Sequence, residues 1–146
     1  MSNGQRYFES VAVGDELPLL RDTLSPRRLV MFAGAATDFY EIHYDRDYAA
    51  SLGLDGLLVH GLLKNALLGR FLHEWIAPAG RIVSYGCEYR GMDSPDEKLT
   101  CRGVVTRIQE DDSLVDVDIR VEKADGTVTT PGYGRVYLPH RTLGDT

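Results

Sequence analysis

At 146 residues, 43% hydrophobic and 26% charged, the chain has the make-up of a globular domain with one core, which excludes disordered and fibrous classes. A formal net charge of −6 with no lysine or arginine run excludes nucleic acid as a partner, because such a surface repels phosphates. Two cysteines, Cys87 and Cys101, are too few for a disulfide framework or a four-thiolate zinc site and read as two buried thiols.

Residues 1–6 are polar and lack the apolar stretch of a signal peptide, so the expected compartment is the cytoplasm. Residues 7–20 read as an extended leading segment with a turn at Gly14 and Asp15. Ser25 followed by Pro26 supplies an N-cap and a first helical residue. Leu29, Phe32, Ala33 and Ala36 then recur at helical spacing, which predicts a short amphipathic helix running toward Asp38. Residues 38–47 are polar and aromatic-rich, and residues 48–52 form another helical turn before Gly53 and Gly56 break the chain. A long helix is predicted from His60 or Gly61, with Leu63, Ala66, Leu67, Phe71 and Trp75 on one apolar face. Leu62, Leu68, Leu72 and Ile76 widen that face, and Pro78 with Gly80 ends the helix. His60, Lys64, Asn65, Arg70, His73 and Glu74 make it too polar to span a membrane.

From Arg81 onward, alternation replaces helical spacing. Val115, Val117, Ile119 and Val121 alternate with Asp116, Asp118, Arg120 and Glu122, the pattern of an antiparallel strand with one buried and one wet face. Residues 82–90, 99–109 and 127–138 read as its neighbours, giving a four-stranded meander with the leading segment as a candidate fifth strand. One apolar helix and a meander pack economically when the sheet curls around the helix. The expected fold is therefore α+β, a single hot-dog domain over residues 1–146 with a curved antiparallel sheet wrapped around a long central apolar helix. Exposed sheet edges are a liability that edge-to-edge pairing removes, so a dimer of identical or different chains is the minimum expectation.

The segment Asp38-Phe39-Tyr40-Glu41-Ile42-His43-Tyr44-Asp45 follows a helix, where a loop presents side chains into a cavity. Hydration of an enoyl thioester needs a positioned water, a base for its proton, and an acid for the neighbouring carbon. Asp38 and His43, five residues apart across a turn, can share those tasks if the loop folds back on itself. The thioester oxygen needs donors as negative charge builds on it, and the backbone N–H of Gly61 at the start of the long helix suits that role.

Asp38 through His43, then Asp45, Ala49, Gly53 and Val59-His60-Gly61-Leu62 resemble the MaoC-like, or R-specific, enoyl-CoA hydratase motif, Asp-x-Asn-Pro-x-His-x-Asp followed by His-Gly-Met. The Val13-Gly14-Asp15 and Tyr137-Leu138-Pro139 stretches extend the likeness over most of the chain. The resemblance implies a hot-dog fold, an acyl-CoA thioester substrate, water activated by Asp38 and His43, and Gly61 N–H at the thioester oxygen. No metal and no redox cofactor belong to that chemistry, coenzyme A being part of the substrate. Tyr40 and Glu41 stand where the motif has Asn-Pro, and Leu62 where it has methionine. Glu41 either raises the pKa of Asp38 or faces solvent.

Taken singly, Asp38 reads as a helix-ending carboxylate and His43 as a loop histidine bonded to a carbonyl; their coincidence favours catalysis. Tyr40, Tyr44, His60, Leu62 and Asn65 are the candidate substrate-contacting residues. Lys64 is expected in solvent, and His73 and His140 on the surface. A hot-dog thioesterase is the alternative enzyme, and a subunit that completes a partner's acyl-CoA site is the alternative outside catalysis.

Overall fold

The structure, a computed structural model, describes residues 4–142. Its elements are β1 (Leu20–Thr23), α1 (Pro26–Ala36), α2 (Arg46–Ser51), α3 (Gly61–Ile76), β2 (Arg81–Cys87), β3 (Lys98–Gln109), β4 (Leu114–Lys123) and β5 (Val128–Tyr137). Among the described residues no helix is long and apolar enough to cross a membrane.

α1 begins as the sequence dictates. The Ser25 hydroxyl accepts from the Arg28 N–H and Pro26 takes the first helical position, where its missing N–H costs nothing. α3 buries Leu63, Leu67, Leu68, Phe71, Leu72, Trp75 and Ile76 against Val105, Val115, Val117, Ile119, Val121 and Val136 of the sheet. The buried stripe is narrower than expected, because Leu62 and Ala66 face outward. Seating the helix this closely requires a missing side chain on β5: a Cβ on Gly134 would stand 2.9 Å from Leu72 Cδ1.

The five antiparallel strands run in the order β1-β3-β4-β5-β2. Register shifts at Val105/Arg107, Val121/Glu122 and Ile82/Ser84 insert bulges, and bulges bend and twist a sheet, curling it around α3. Two expectations are corrected here. β2 pairs with β5, not β3. Alternation reveals which face of a strand is wet but not which strand lies beside it, and ten connecting residues, 88–97, carry the chain across. The fifth strand lies at the far end of the leading segment. Residues 14–17 are joined to β3 by an isolated Glu16–Val104 bridge and by three backbone hydrogen bonds, Gly14 N–H to Val105, Val105 N–H to Asp15 and Leu17 N–H to Gly103, and regular strand pairing starts at Leu20. β2 closes the sheet with an edge unpaired among the described residues, and its Val83 is exposed.

Cys101 is fully buried, and burial pushes its thiol up to about 12. Cys87, expected to be buried as well, is only half-buried.

Candidate active site

Three chain segments meet at the start of α3. The first leaves α1 through Thr37, whose left-handed φ of 56° turns the chain while the Asp38 N–H still reaches the Ala33 carbonyl at 3.0 Å. The second is a single 3-10 turn, Glu41–His43, tied to residues 57–60 by the Leu58 N–H donating to the Ile42 carbonyl at 3.1 Å. The third is the crossing segment after β2, held by the Val59 N–H donating to the Asp93 carbonyl at 2.8 Å.

These ties bring Asp38, His43 and His60 together, with one ligand-type atom from each lying within 4.8 Å of the other two. His43 is buried, and its Nδ1 lies 2.7 Å from the Leu58 carbonyl oxygen. A carbonyl can only accept, so neutral His43 carries its proton on Nδ1 and leaves the Nε2 lone pair free. His60 is the N-cap of α3 and is wholly buried. Its ring stacks on His43 at 3.7 Å between centroids and 20° between planes, and the Phe32 ring of α1 meets it edge-on at 5.1 Å. Among the described residues neither ring nitrogen of His60 has a well-aligned hydrogen-bond partner, the Asp38 backbone being its nearest polar support. The three residues are the donors here that come close enough to share a metal ion.

A cavity of about 390 Å³ opens beside this cluster, its wall including His43, Gly61, Lys64, Tyr89 and Met92. Gly61 is the first residue of α3, so its N–H has no acceptor within the helix. The space its missing side chain leaves is filled by Tyr89, three of whose ring carbons would lie 3.2 Å from a Cβ at Gly61.

The MaoC-like domain matches residues 7–127. The chain belongs to the MaoC-like domain family. The 3-oxo-4,17-pregnadiene-20-carboxyl-CoA hydratase beta subunit of Mycobacterium tuberculosis is 31% identical over 107 residues, covering 73% of this chain and 81% of that protein. The (R)-specific enoyl-CoA hydratase of Aeromonas caviae is 24% identical over 132 residues, covering 90% and 98%. A chain of the ChsH1-ChsH2 complex from M. tuberculosis superposes with a TM-score of 0.79 at 27% identity, over 87% of this chain and 98% of that one. The curled five-stranded sheet around α3 is the hot-dog fold.

Within this MaoC-like chain the motif's residues divide by task. Asp45 caps α2, its Oδ1 accepting from the Tyr48 N–H at 2.9 Å, and Gly53 turns the chain at φ 78°. Glu41, at the motif's proline position, faces solvent. Of the other candidate residues, Tyr40 meets His43 edge-on at 6.2 Å but is 47% exposed, and the Tyr44 hydroxyl donates to the Phe39 carbonyl. Leu62 points outward, and half-buried Asn65 neighbours the Tyr89 phenol. None of these four belongs to the cavity wall.

Lys64 corrects an expectation. It is 2% exposed, and its Nζ donates to Asp93 Oδ2 at 2.7 Å and to the Gly91 carbonyl at 2.8 Å. Asp93 is itself wholly buried. The polar group placed in solvent thus ties the crossing segment to α3.

Burial, followed by the nearby His43, pushes the His60 pKa down, and Asp38 opposes that shift only in part. The unfolded chain therefore binds a proton near the ordinary histidine value of about 6.5 before the folded chain does. Stability carried by neutral His60 is complete above that pH and is lost as pH falls below it, with a slope of at most about 1.4 kcal/mol per pH unit. Asp116, held below its ordinary value by Arg135, contributes only in a more acidic window. His60→Leu should flatten the dependence of unfolding free energy on pH between 7 and 5, measured by urea titration. An unchanged slope would show that His60 already ionises freely in the fold.

Proposed function

We propose that the chain adds water reversibly to a 2-enoyl-CoA, giving the R-3-hydroxyacyl-CoA. The observation that carries this reading is the His43 Nδ1–Leu58 hydrogen bond, which leaves the Nε2 lone pair of a cavity-wall histidine free in a ring that has one nitrogen within 4.8 Å of an Asp38 carboxylate oxygen. Water held between the two groups gives its proton to His43 Nε2, while its oxygen bonds to C3 of the enoyl group. The electron pair of the double bond moves toward the thioester oxygen, where the Gly61 N–H donates to the developing charge. Such a donor is worth about 3 kcal/mol in other oxyanion sites. His43 then returns the proton to C2, and Asp38 holds the remaining O–H of the water throughout. Coenzyme A enters as part of the substrate, and no separate cofactor has a step to perform. Membership of the MaoC-like family and similarity to the A. caviae enzyme support this reading, and the latter supports the R configuration.

A second reading concerns assembly. The M. tuberculosis relative is named as a beta subunit, and the superposed chain comes from a two-component complex. The unpaired β2 edge and the exposed Phe39, Leu62 and Met92 around the site suit a second hot-dog chain, identical or different.

Both readings are tested by incubating the purified chain with short linear, long linear and ring-bearing enoyl-CoA thioesters and following loss of the conjugated absorbance. Light scattering reports the mass of the assembly. Hydration by the chain alone supports the enzyme, and hydration only with a co-expressed hot-dog partner supports the subunit. Release of free coenzyme A outrunning loss of conjugation would overturn hydration in favour of thioester hydrolysis.

A further inference from the structure

Tyr89 crowds the spot that the mechanism above leaves to the substrate, sharing the cavity wall with Gly61. Its ring lies against Gly61, with three ring carbons 3.2 Å from where a Cβ would stand. It belongs to the same cavity wall as His43 and is 50% exposed. The backbone on either side is fixed. Glu88 N–H donates to the Pro131 carbonyl at 2.9 Å, and Arg90 N–H and Gly91 N–H donate to the Thr129 carbonyl at 3.0 and 2.9 Å. On the opposite flank, Lys64 Nζ holds the Gly91 carbonyl and the Asp93 carboxylate. A rigid frame with one half-exposed aromatic ring, its phenol beside Asn65, leaves side-chain rotation as the way to widen the space at Gly61.

We propose that Tyr89 is a specificity-determining residue, its ring set over Gly61 so that an acyl thioester must displace it, at a cost that grows with the bulk of the acyl group near the carbonyl. The inference rests on the proposed use of Gly61 as the thioester-oxygen donor. A slim linear enoyl chain slips beside the ring, whereas a fused-ring acyl group needs the volume the ring fills. Truncating the ring therefore opens the site mainly to bulky substrates, and enlarging it closes the site to them first.

The test compares wild type, Tyr89→Ala, Tyr89→Phe and Tyr89→Trp, with one short linear and one ring-bearing enoyl-CoA for turnover. The saturated counterparts are used for binding by calorimetry, which does not depend on hydration. Circular dichroism melts confirm that each variant folds, and Tyr89→Phe, which keeps the ring and loses the hydroxyl beside Asn65, separates the bulk of the ring from its phenol: its ratio of ring-bearing to linear kcat/KM should change less than that of Tyr89→Ala. The ratio of kcat/KM for the ring-bearing over the linear substrate should rise about tenfold in Tyr89→Ala and fall in Tyr89→Trp, with KM carrying the change. Affinity for the saturated ring-bearing thioester should follow. Ratios that stay within about twofold of wild type in both variants, or a uniform loss on both substrates, would overturn the proposal while leaving hydration intact. Binding that tracks residue 89 without turnover in any variant, with or without a co-expressed hot-dog partner, would overturn hydration and leave Tyr89's role standing. Failure of wild type to bind either thioester would overturn both.

Discussion

His43→Ala should lower kcat/KM for enoyl-CoA hydration by about 10²–10⁴-fold, the range supplied by a positioned general base. The loss should fall on kcat, because His43 acts on the water more than on the thioester's grip. Asp38→Asn keeps the size of the side chain and removes its charge, so it should lower kcat while leaving KM nearly unchanged. The informative variant is the pair. If Asp38 and His43 work on one water, the double substitution loses scarcely more than the worse single one, as residues acting as a unit do. Independent losses that add would mean two separate roles, and a His43→Ala enzyme within a few-fold of wild type would remove the mechanism. Unfolding measurements accompany the kinetics, because His43→Ala also leaves the Leu58 carbonyl without its donor, at about 1–3 kcal/mol.

Much of this architecture was legible in the chain because local chemistry and global fold agree. Ser25-Pro26 announces α1, the Val115–Val121 alternation announces β4, and Gly61 opens α3 where the dipeptide His60-Gly61 places it. The Asp38–His43 spacing across a turn anticipates their approach within 4.8 Å. Sheet order was not legible, since the pairing of β2 with β5 depends on where a ten-residue connection goes and not on any pattern inside β2. Tyr89 carries no signal in the chain for a related reason. Its place over Gly61 is a contact between residues 28 positions apart, brought about by that same connection. Lys64 is different, because its signal was present. It lies three residues before Leu67, four before Leu68 and seven before Phe71, all buried on α3, so helical spacing already placed it on the inward face. Against that periodicity stands the tendency of a lysine to reach water along its stem. What it lacked was a visible partner, as Asp93 lies 29 residues away.

That buried pair sets the largest expected effect on stability. Lys64→Ala strands the Asp93 carboxylate at 0% exposure with no cation beside it, and its Oδ1 already lacks a hydrogen-bond partner. Removing one member of a buried ion pair costs about 3–5 kcal/mol, which for a chain of this size lowers Tm by about 10–16 °C. Replacing both members with apolar residues of similar volume, Lys64→Met with Asp93→Leu, should return stability to within about 1–2 kcal/mol of wild type, because the desolvation of two charges disappears along with their attraction. Urea unfolding of wild type, both single variants and the double variant closes the cycle and isolates the coupling. A Lys64→Ala loss below about 1 kcal/mol would place the pair in effective contact with water. The double variant also separates stability from positioning, since methionine cannot donate to the Gly91 carbonyl that Lys64 holds at 2.8 Å. A double variant that melts like wild type but has lost its discrimination between linear and ring-bearing thioesters would show that the lysine is kept for the placement of the Tyr89 wall, and that its contribution to folding is incidental.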